Sequence, residues 1–295
     1  MMKALVTGGK GFIGSNIVEH LTKLDWKVIV IDDESAPENE IFYEFPDVQY
    51  IKDSILEKST HKLYAGVDFV FHCAARSRIQ PSIVGDSDEC FYVNTLGTQS
   101  VCEASRVHKV EKIIYSASSS IYGNKNVLPF NTSMSPDCLN PYSLSKKMGE
   151  DMLELYYNMW ELPYINLRYF NVYGPREPLK GQYAPVIGLF KRQVASGKPM
   201  TIVGDGRQRR DFTYVADVVE ANLKAAFSSI THGTYNVGTG KSYSINELAS
   251  IIGNDIIYIS PRPAEIRETR ADITSTISDL DWQPKKELEE AILCY

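Results

Sequence analysis

The 295-residue chain has no uninterrupted apolar run that approaches the roughly 18 residues of a membrane span. Met1-Met2-Lys3 leads straight into a strand and a glycine loop, not into a signal sequence, so the mature protein is expected to start at its own first strand. Cysteine is scarce and odd in number. Cys73, Cys90, Cys102, Cys138 and Cys294 show no CxxC pair and no zinc spacing, which suits reduced packing or surface thiols in a cytosol and implies no metal. There is no excess of basic charge either: the formal net charge is −6, which argues against nucleic acid as a partner. Repeats and low-complexity segments are missing, and 43% hydrophobic with 23% charged residues excludes a disordered chain. What remains is one compact cytoplasmic protein, long enough for two lobes.

Apolar runs alternate with longer amphipathic stretches in the first half. Lys3–Thr7, Val28–Ile31, Val67–His72 and Lys112–Ser116 read as strands with helical patterns between them. That alternation predicts βαβ units and a doubly wound parallel sheet, the α/β class. Pro141–Trp160 carries apolar residues at helical spacing and is followed by Pro163, so it reads as one long helix. Tyr164–Tyr169 reads as a further strand, and Pro- and Gly-rich loops follow it. The boundaries expected are a dinucleotide-binding domain over 1–170, to which the chain returns at about 212–238, and a second, smaller lobe over 171–295.

After the first strand comes Gly8-Gly9-Lys10-Gly11-Phe12-Ile13-Gly14 and then a helical pattern through Leu24. Gly8, Gly11 and Gly14 permit a tight turn, close approach of backbone to a pyrophosphate and close helix packing, with the phosphate at the helix N-terminus near Phe12 and Ile13. Asp32 ends the next strand, where a ribose-binding acid belongs, and Asp33 and Glu34 follow it. No Arg or Lys lies close by in sequence to meet a 2′-phosphate, so the cofactor expected is NAD, not NADP. Asp53 and Ser54 follow another strand-like pair and are candidates for the adenine side. Ala74 and Ala75 are small enough to let the chain pass close to a cofactor, whereas their neighbour His72 reads as structural.

Pro141-Tyr142-Ser143-Leu144-Ser145-Lys146 places Tyr142 and Lys146 four apart on one helix face. A phenol near pKa 10 is a poor base at neutral pH, and an adjacent ammonium favours its phenolate. Tyr142 is the candidate base and Lys146 its tuner. Upstream stands Ser116-Ala117-Ser118-Ser119-Ser120-Ile121-Tyr122-Gly123, which carries four hydroxyl-bearing serines and no acid at the C-terminal end of a strand, where open α/β sheets place ligands.

Taken together, TGGKGFIG, SASSSIYG, YSLSK, LRYFNVYG and RDFTYV, in that order, resemble an extended short-chain dehydrogenase/reductase, most closely a nucleotide-sugar epimerase of the UDP-glucose/UDP-N-acetylglucosamine 4-epimerase type. The similarity runs from Lys3 to about Glu290. It implies a Rossmann domain that retains NAD, a C-terminal lobe that grips a UDP-sugar, and a homodimer built on the helices Asn94–Val107 and Tyr142–Trp160. By the same resemblance Ser118 bonds the reacting sugar oxygen, Asn94 stands near the cofactor, and Ser77 and Arg78 face the substrate. Asn171, Arg210 and Arg262 hold the diphosphate, Glu265 meets the uridine ribose, and Thr269 borders the sugar's C2 substituent. The small Thr269 implies acceptance of N-acetylated sugars. Of the run Arg207-Gln208-Arg209-Arg210, one ligand and two exposed charges are expected.

Related dehydratases carry an Asp-Glu pair, and UDP-glucuronate decarboxylases a Glu, where this chain has Ser119 and Ser120. Without an acid to protonate a departing hydroxyl, elimination lacks its catalyst, and the resemblance implies that a transient 4-keto sugar is simply reduced on its other face. Ser119 and Ser120 then line the sugar pocket; the alternative is that they only cap a loop backbone. Two features depart from the family pattern: the acid Glu177 stands where many relatives keep a neutral residue, and Tyr295 falls within what is usually a longer final helix. Three other readings stay open: a UDP-glucuronate 4-epimerase, a net-reducing nucleotide-sugar synthase and an NAD-sensing regulator without turnover.

Overall fold

Strands covered on both faces need nearly continuous apolar runs, and the sequence supplies them in KALVT, KVIVI and FVFH. The computed structural model describes residues 1–36, 41–178, 184–253, 255–261 and 266–294. Its central element is a parallel sheet of β1 (Lys3–Thr7), β2 (Lys27–Ile31), β3 (Val48–Ile51), β4 (Phe69–His72), β5 (Lys112–Ser118), β6 (Tyr164–Tyr169) and, returning late, His232–Val237. The spatial order is β3, β2, β1, β4, β5, β6 and the returning strand. The order reverses between β1 and β4, which opens a crevice at the strands' C-terminal ends. Register makes that crevice specific. Thr7 lies opposite both Ile31 and His72, and Ser118 lies opposite Tyr169. The glycine loop, Asp32 and the Cys73–Ala75 segment therefore leave the sheet side by side.

Helices cover both faces. On one, Ile17, Val18 and Leu21 of Phe12–Lys23 meet Val218, Ala221 and Ala225 of Val215–Phe227. On the other, Val101, Cys102 and Ala104 of Gly97–His108 meet Leu153 and Tyr156 of Pro141–Trp160. Each buried Val, Leu or Ile among them contributes roughly 1.5–3 kcal/mol. A separate cluster, including Phe190, Met200, Ile202, Leu248 and Ala291, forms beside the sheet from residues between Tyr173 and Ile292.

The strand and helix boundaries differ from the sequence reading only at their ends. Val67 is a turn residue ahead of β4, its N–H bonded to the Tyr64 carbonyl, and β5 continues through Ser118. The segment beginning at Asn94 is not plain α-helix: Tyr92–Leu96 forms a π-helical turn before Gly97–His108. Asn94 lies within that turn, and its side chain is committed to neighbouring segments. It accepts from the Arg76 N–H at 2.7 Å and donates to the Arg76 carbonyl at 3.0 Å and to the Ser145 hydroxyl at 2.9 Å. Among the described residues no helix is long and apolar enough to cross a membrane, and no cluster of three or more His, Cys, Asp or Glu could hold a metal.

Candidate active site

A cavity of about 600 Å³ occupies the crevice and extends over the smaller cluster. At one end its wall is the glycine loop. Gly8 sits at φ +67°, and a Cβ there would come within 2.7 Å of the Ala74 backbone nitrogen, so only glycine lets the loop lie against the Cys73–Ala74 backbone. A Cβ on Gly14 would meet the Gly8 carbonyl at 2.2 Å, so the helix also packs at glycine distance. That helix begins at Gly11 with no side-chain cap and no acid in its first turn. Its leading N–H groups have no intrahelical acceptor, and Phe12, Ile13 and Gly14 line the cavity. An uncapped N-terminus of this kind suits a diphosphate.

Asp32, Asp33 and Asp53 stand on the same wall. The Asp32 carboxylate accepts from the backbone N–H of Lys10 and of Glu34, both at 2.9 Å. Burial pushes its pKa up, and those two donors oppose the shift. The residues fit a dinucleotide: an amide cradle for the pyrophosphate, a held carboxylate for the ribose, and alanines where the chain passes close. His72 takes no part; it is buried between the hydroxyls of Thr7 at 2.7 Å and Thr98 at 3.0 Å, and burial lowers its pKa to about 3.

Mid-cavity lie Ser118, Ser119, Ser120 and Tyr142. Tyr142 is placed by one of the best-capped helices in the chain: Asn140 accepts from the Ser143 N–H at 2.9 Å, the Ser143 hydroxyl accepts in return, and Pro141 opens the first turn. Burial raises the Tyr142 phenol, while the Ser118 hydroxyl and the Arg78 guanidinium draw it back. Arg78, on the same wall, thus acts on the phenol as well as on the cavity. Lys146 follows one turn later and is buried. Its buried ammonium donates to the Ser116 carbonyl at 2.9 Å and lies 4.8 Å from the Tyr115 ring centre, and burial lowers its pKa to about 8. The serines are not equivalent: Ser118 Oγ accepts from the Ser120 N–H at 3.2 Å and pairs with Ser120 Oγ at 2.9 Å, capping the short turn Ser119–Tyr122.

At the far end, Asn171 and Thr269 come together, 98 residues apart in sequence, with Asn171 Nδ2 donating to Thr269 Oγ at 3.2 Å. Both line the cavity with Arg210. Asp211 anchors this corner. Its buried carboxylate accepts from the N–H groups of Thr239 at 2.8 Å, Gly240 at 2.9 Å and Ala271 at 3.0 Å and from the Thr239 hydroxyl at 2.6 Å. Arg209 is not a simple exposed charge; it is half-buried, with Nη1 on Glu247 at 3.1 Å and Nε on Ser242 Oγ at 3.2 Å.

Of the expected site residues, Ser77 also lines the cavity, although exposed. Three stand behind the wall. Asn94 clamps the Arg76 backbone, Lys146 turns to Ser116, and the Ser54 hydroxyl accepts from the Leu56 N–H in a local turn. Asn94, Lys146 and Ser54 are thus absent from the described cavity wall. Arg262 and Glu265 lie outside the described residues. Glu177 is buried but absent from the described wall, which is continued there by Pro178. Sequence reasoning missed the apolar lining of the second lobe, including Tyr173, Val186, Phe212 and Ile245, as well as Gln208. Tyr173, Val186 and Ile245 lie on three different elements and Phe212 and Gln208 on loops, so no single motif joins them.

This chain is similar in sequence or in structure to three proteins of known name. A UDP-glucose 4-epimerase of Mycolicibacterium smegmatis is 32% identical over 303 residues, covering 99% of this chain and 96% of that protein. The crystal structure of the Thermotoga maritima UDP-glucose 4-epimerase with UDP-glucose superposes with a TM-score of 0.94 at 32% identity, covering 99% of this chain and 96% of the other. The UDP-N-acetylglucosamine 4-epimerase of Methanobrevibacter ruminantium M1, in complex with UDP-N-acetylmuramic acid, superposes with a TM-score of 0.92 at 32% identity and the same coverage. The match at residues 4–238 spans the dinucleotide cradle, the serine stretch and the Tyr142 helix, and through it the chain belongs to the NAD dependent epimerase/dehydratase family.

Proposed function

We propose that this protein interconverts the C4 epimers of a UDP-hexose, with UDP-N-acetylglucosamine and UDP-N-acetylgalactosamine as the principal pair and UDP-glucose and UDP-galactose alongside. The observation that carries the reading is that Tyr142, Ser118 and the small Thr269 share one cavity with a dinucleotide cradle and an acid-free SASSS stretch. NAD, when bound on Gly8–Gly14 and Asp32, supplies reversible hydride chemistry at the sugar carbon. The chain's residues do the rest. Tyr142 takes the C4 hydroxyl proton and later returns one, Ser118 orients that oxygen, and Arg78 favours the phenolate. Lys146 fixes the end of β5 through the Ser116 carbonyl. Arg210 and Asn171 hold the diphosphate, which tethers the sugar while it turns over. Asp32, Asp33, Asp53 and Asp86 are the carboxylates on the described wall; none belongs to the serine stretch, so protonation of a leaving hydroxyl has no donor there.

In this reading residues 1–170 with 212–238 hold the dinucleotide and the remainder of 171–295 holds the UDP-sugar. The chain works as a homodimer. In support of that, Leu96, Val107, Leu144, Met148, Leu155 and Met159 are exposed on the packed helices about Gly97–His108 and Pro141–Trp160.

The test is a panel of UDP-sugars incubated without added NAD, with the products resolved. Both acetylated sugars should interconvert. Thr269→Tyr should depress that pair ten- to a hundredfold while sparing UDP-glucose and UDP-galactose, because filling an acetamido-sized space costs roughly 1–3 kcal/mol. Equal loss on both pairs, or a wild type that ignores acetylated sugars, would overturn the pocket assignment. Turnover of UDP-glucuronate alone would replace the substrate reading, and absence of turnover on every sugar would leave an NAD-binding regulator.

A further inference from the structure

Along the sequence no basic residue stands beside Asp32, yet the fold brings one there. Lys10, in the glycine loop, donates its N–H to Asp32 Oδ2 at 2.9 Å, and its side chain is 6% exposed. Its ammonium is committed twice. It pairs with Glu34 Oε1 at 2.6 Å and with Glu44, from the two ends of the segment that follows β2. Glu34 also takes Lys52 at 2.5 Å, and its own N–H returns to Asp32 Oδ1 at 2.9 Å. The Lys10 carbonyl accepts from the Tyr43 N–H at 3.2 Å, so the loop is bound to this segment through backbone as well. A 2′-phosphate needs a cation free to donate to it. Here the cation beside the ribose acid is already satisfied by two carboxylates, and a phosphate entering would bring its charge against both.

We propose that Glu34 and Glu44 enforce the choice of NAD over NADP by holding Lys10 in ion pairs, so that the lysine beside Asp32 cannot serve a ribose 2′-phosphate. Asp32 rejects the phosphate directly; the two glutamates withhold the group that would otherwise accept it. The inference rests on the dinucleotide cradle and not on the identity of the sugar.

The readout is the nucleotide itself. Purified protein is incubated with equal excesses of NAD and NADP, washed and denatured, and the released dinucleotides are quantified by mass spectrometry. Wild type should release NAD almost exclusively. Asp32→Ala alone should lose NAD while gaining little NADP, since Lys10 stays paired. Adding Glu34→Gln and Glu44→Gln should raise the NADP:NAD ratio at least tenfold over Asp32→Ala, Lys10→Ala in that background should abolish the gain, and Lys52→Ala should not. The double variant Glu34→Gln/Glu44→Gln, which keeps Asp32 and releases Lys10 from both pairs, should move the ratio in the same direction by a smaller factor. A ratio unchanged by removing the carboxylates, a gain that survives Lys10→Ala, or a gain that depends on Lys52 instead would overturn the proposal. Wild-type protein that releases neither dinucleotide would overturn the cradle assignment along with it.

Discussion

Glu150 lies two turns beyond Tyr142 on the Pro141–Trp160 helix, and its carboxylate accepts from Arg168 Nε at 2.8 Å and Nη2 at 2.7 Å. Both side chains are 5% exposed. The pair joins the helix that carries the base to β6, and the guanidinium also sits 4.9 Å from the Tyr122 ring centre, whose hydroxyl donates to Asn236 at 2.6 Å. Glu150→Ala leaves that guanidinium buried without its carboxylate, a loss of about 3–5 kcal/mol. Unfolding entropy of about 2.1 cal/mol/K per residue over 295 residues is about 0.6 kcal/mol/K. The apparent melting temperature should therefore fall by about 5–8 °C, and Arg168→Ala should behave likewise. The double replacement Glu150→Met/Arg168→Met removes both charges and refills the volume, so it should lose less than either single variant. Melting followed by circular dichroism, with NAD held in constant excess, measures all three. Single variants within about 1 °C of wild type, or a double variant that loses the sum of the two, would refute the reasoning that the pair is desolvated and mutually dependent.

Tyr142→Phe should leave the fold and bound NAD intact and lower turnover by at least 10²–10⁴, the usual contribution of general-base catalysis; retention of more than a tenth of the activity on any UDP-sugar would dismiss it as the base. Arg78→Gln removes a cation that favours the phenolate, so the phenol pKa should rise and the basic-form limb of the kcat/KM profile should move to higher pH; an unmoved limb would confine Arg78 to substrate binding. Gly8→Ala forces a side chain into φ +67° and onto the Ala74 backbone; released NAD, measured after denaturation, should fall sharply, and wild-type levels would show that the loop is not held at that distance.

The parallel sheet, the Pro141–Trp160 helix, the glycine loop with Asp32, and the position of Tyr142 on that helix were legible from sequence because each depends on residues close together: an apolar run of strand length, a helical period followed by proline, or glycines at fixed offsets. What one residue does for another far along the chain was not. The partner of Lys146 is the Ser116 carbonyl, Asn94 is spent on the Arg76 backbone, and Asn171 meets Thr269 beside Asp211, whose carboxylate holds the segments at 239–240 and 271. Lys112, at the start of β5, is buried with its ammonium on the Ala225 and Ser228 carbonyls at the end of Val215–Phe227, a role that nothing near it in sequence announces. The apolar wall of the second lobe and the ion pairs on Lys10 belong to the same class. Local sequence set the elements and the candidate groups, because backbone periodicity and turn chemistry are short-range. Tertiary packing decided which groups face the cavity and which are neutralised, because burial and charge pairing depend on atoms that only the closed fold brings within a few ångströms.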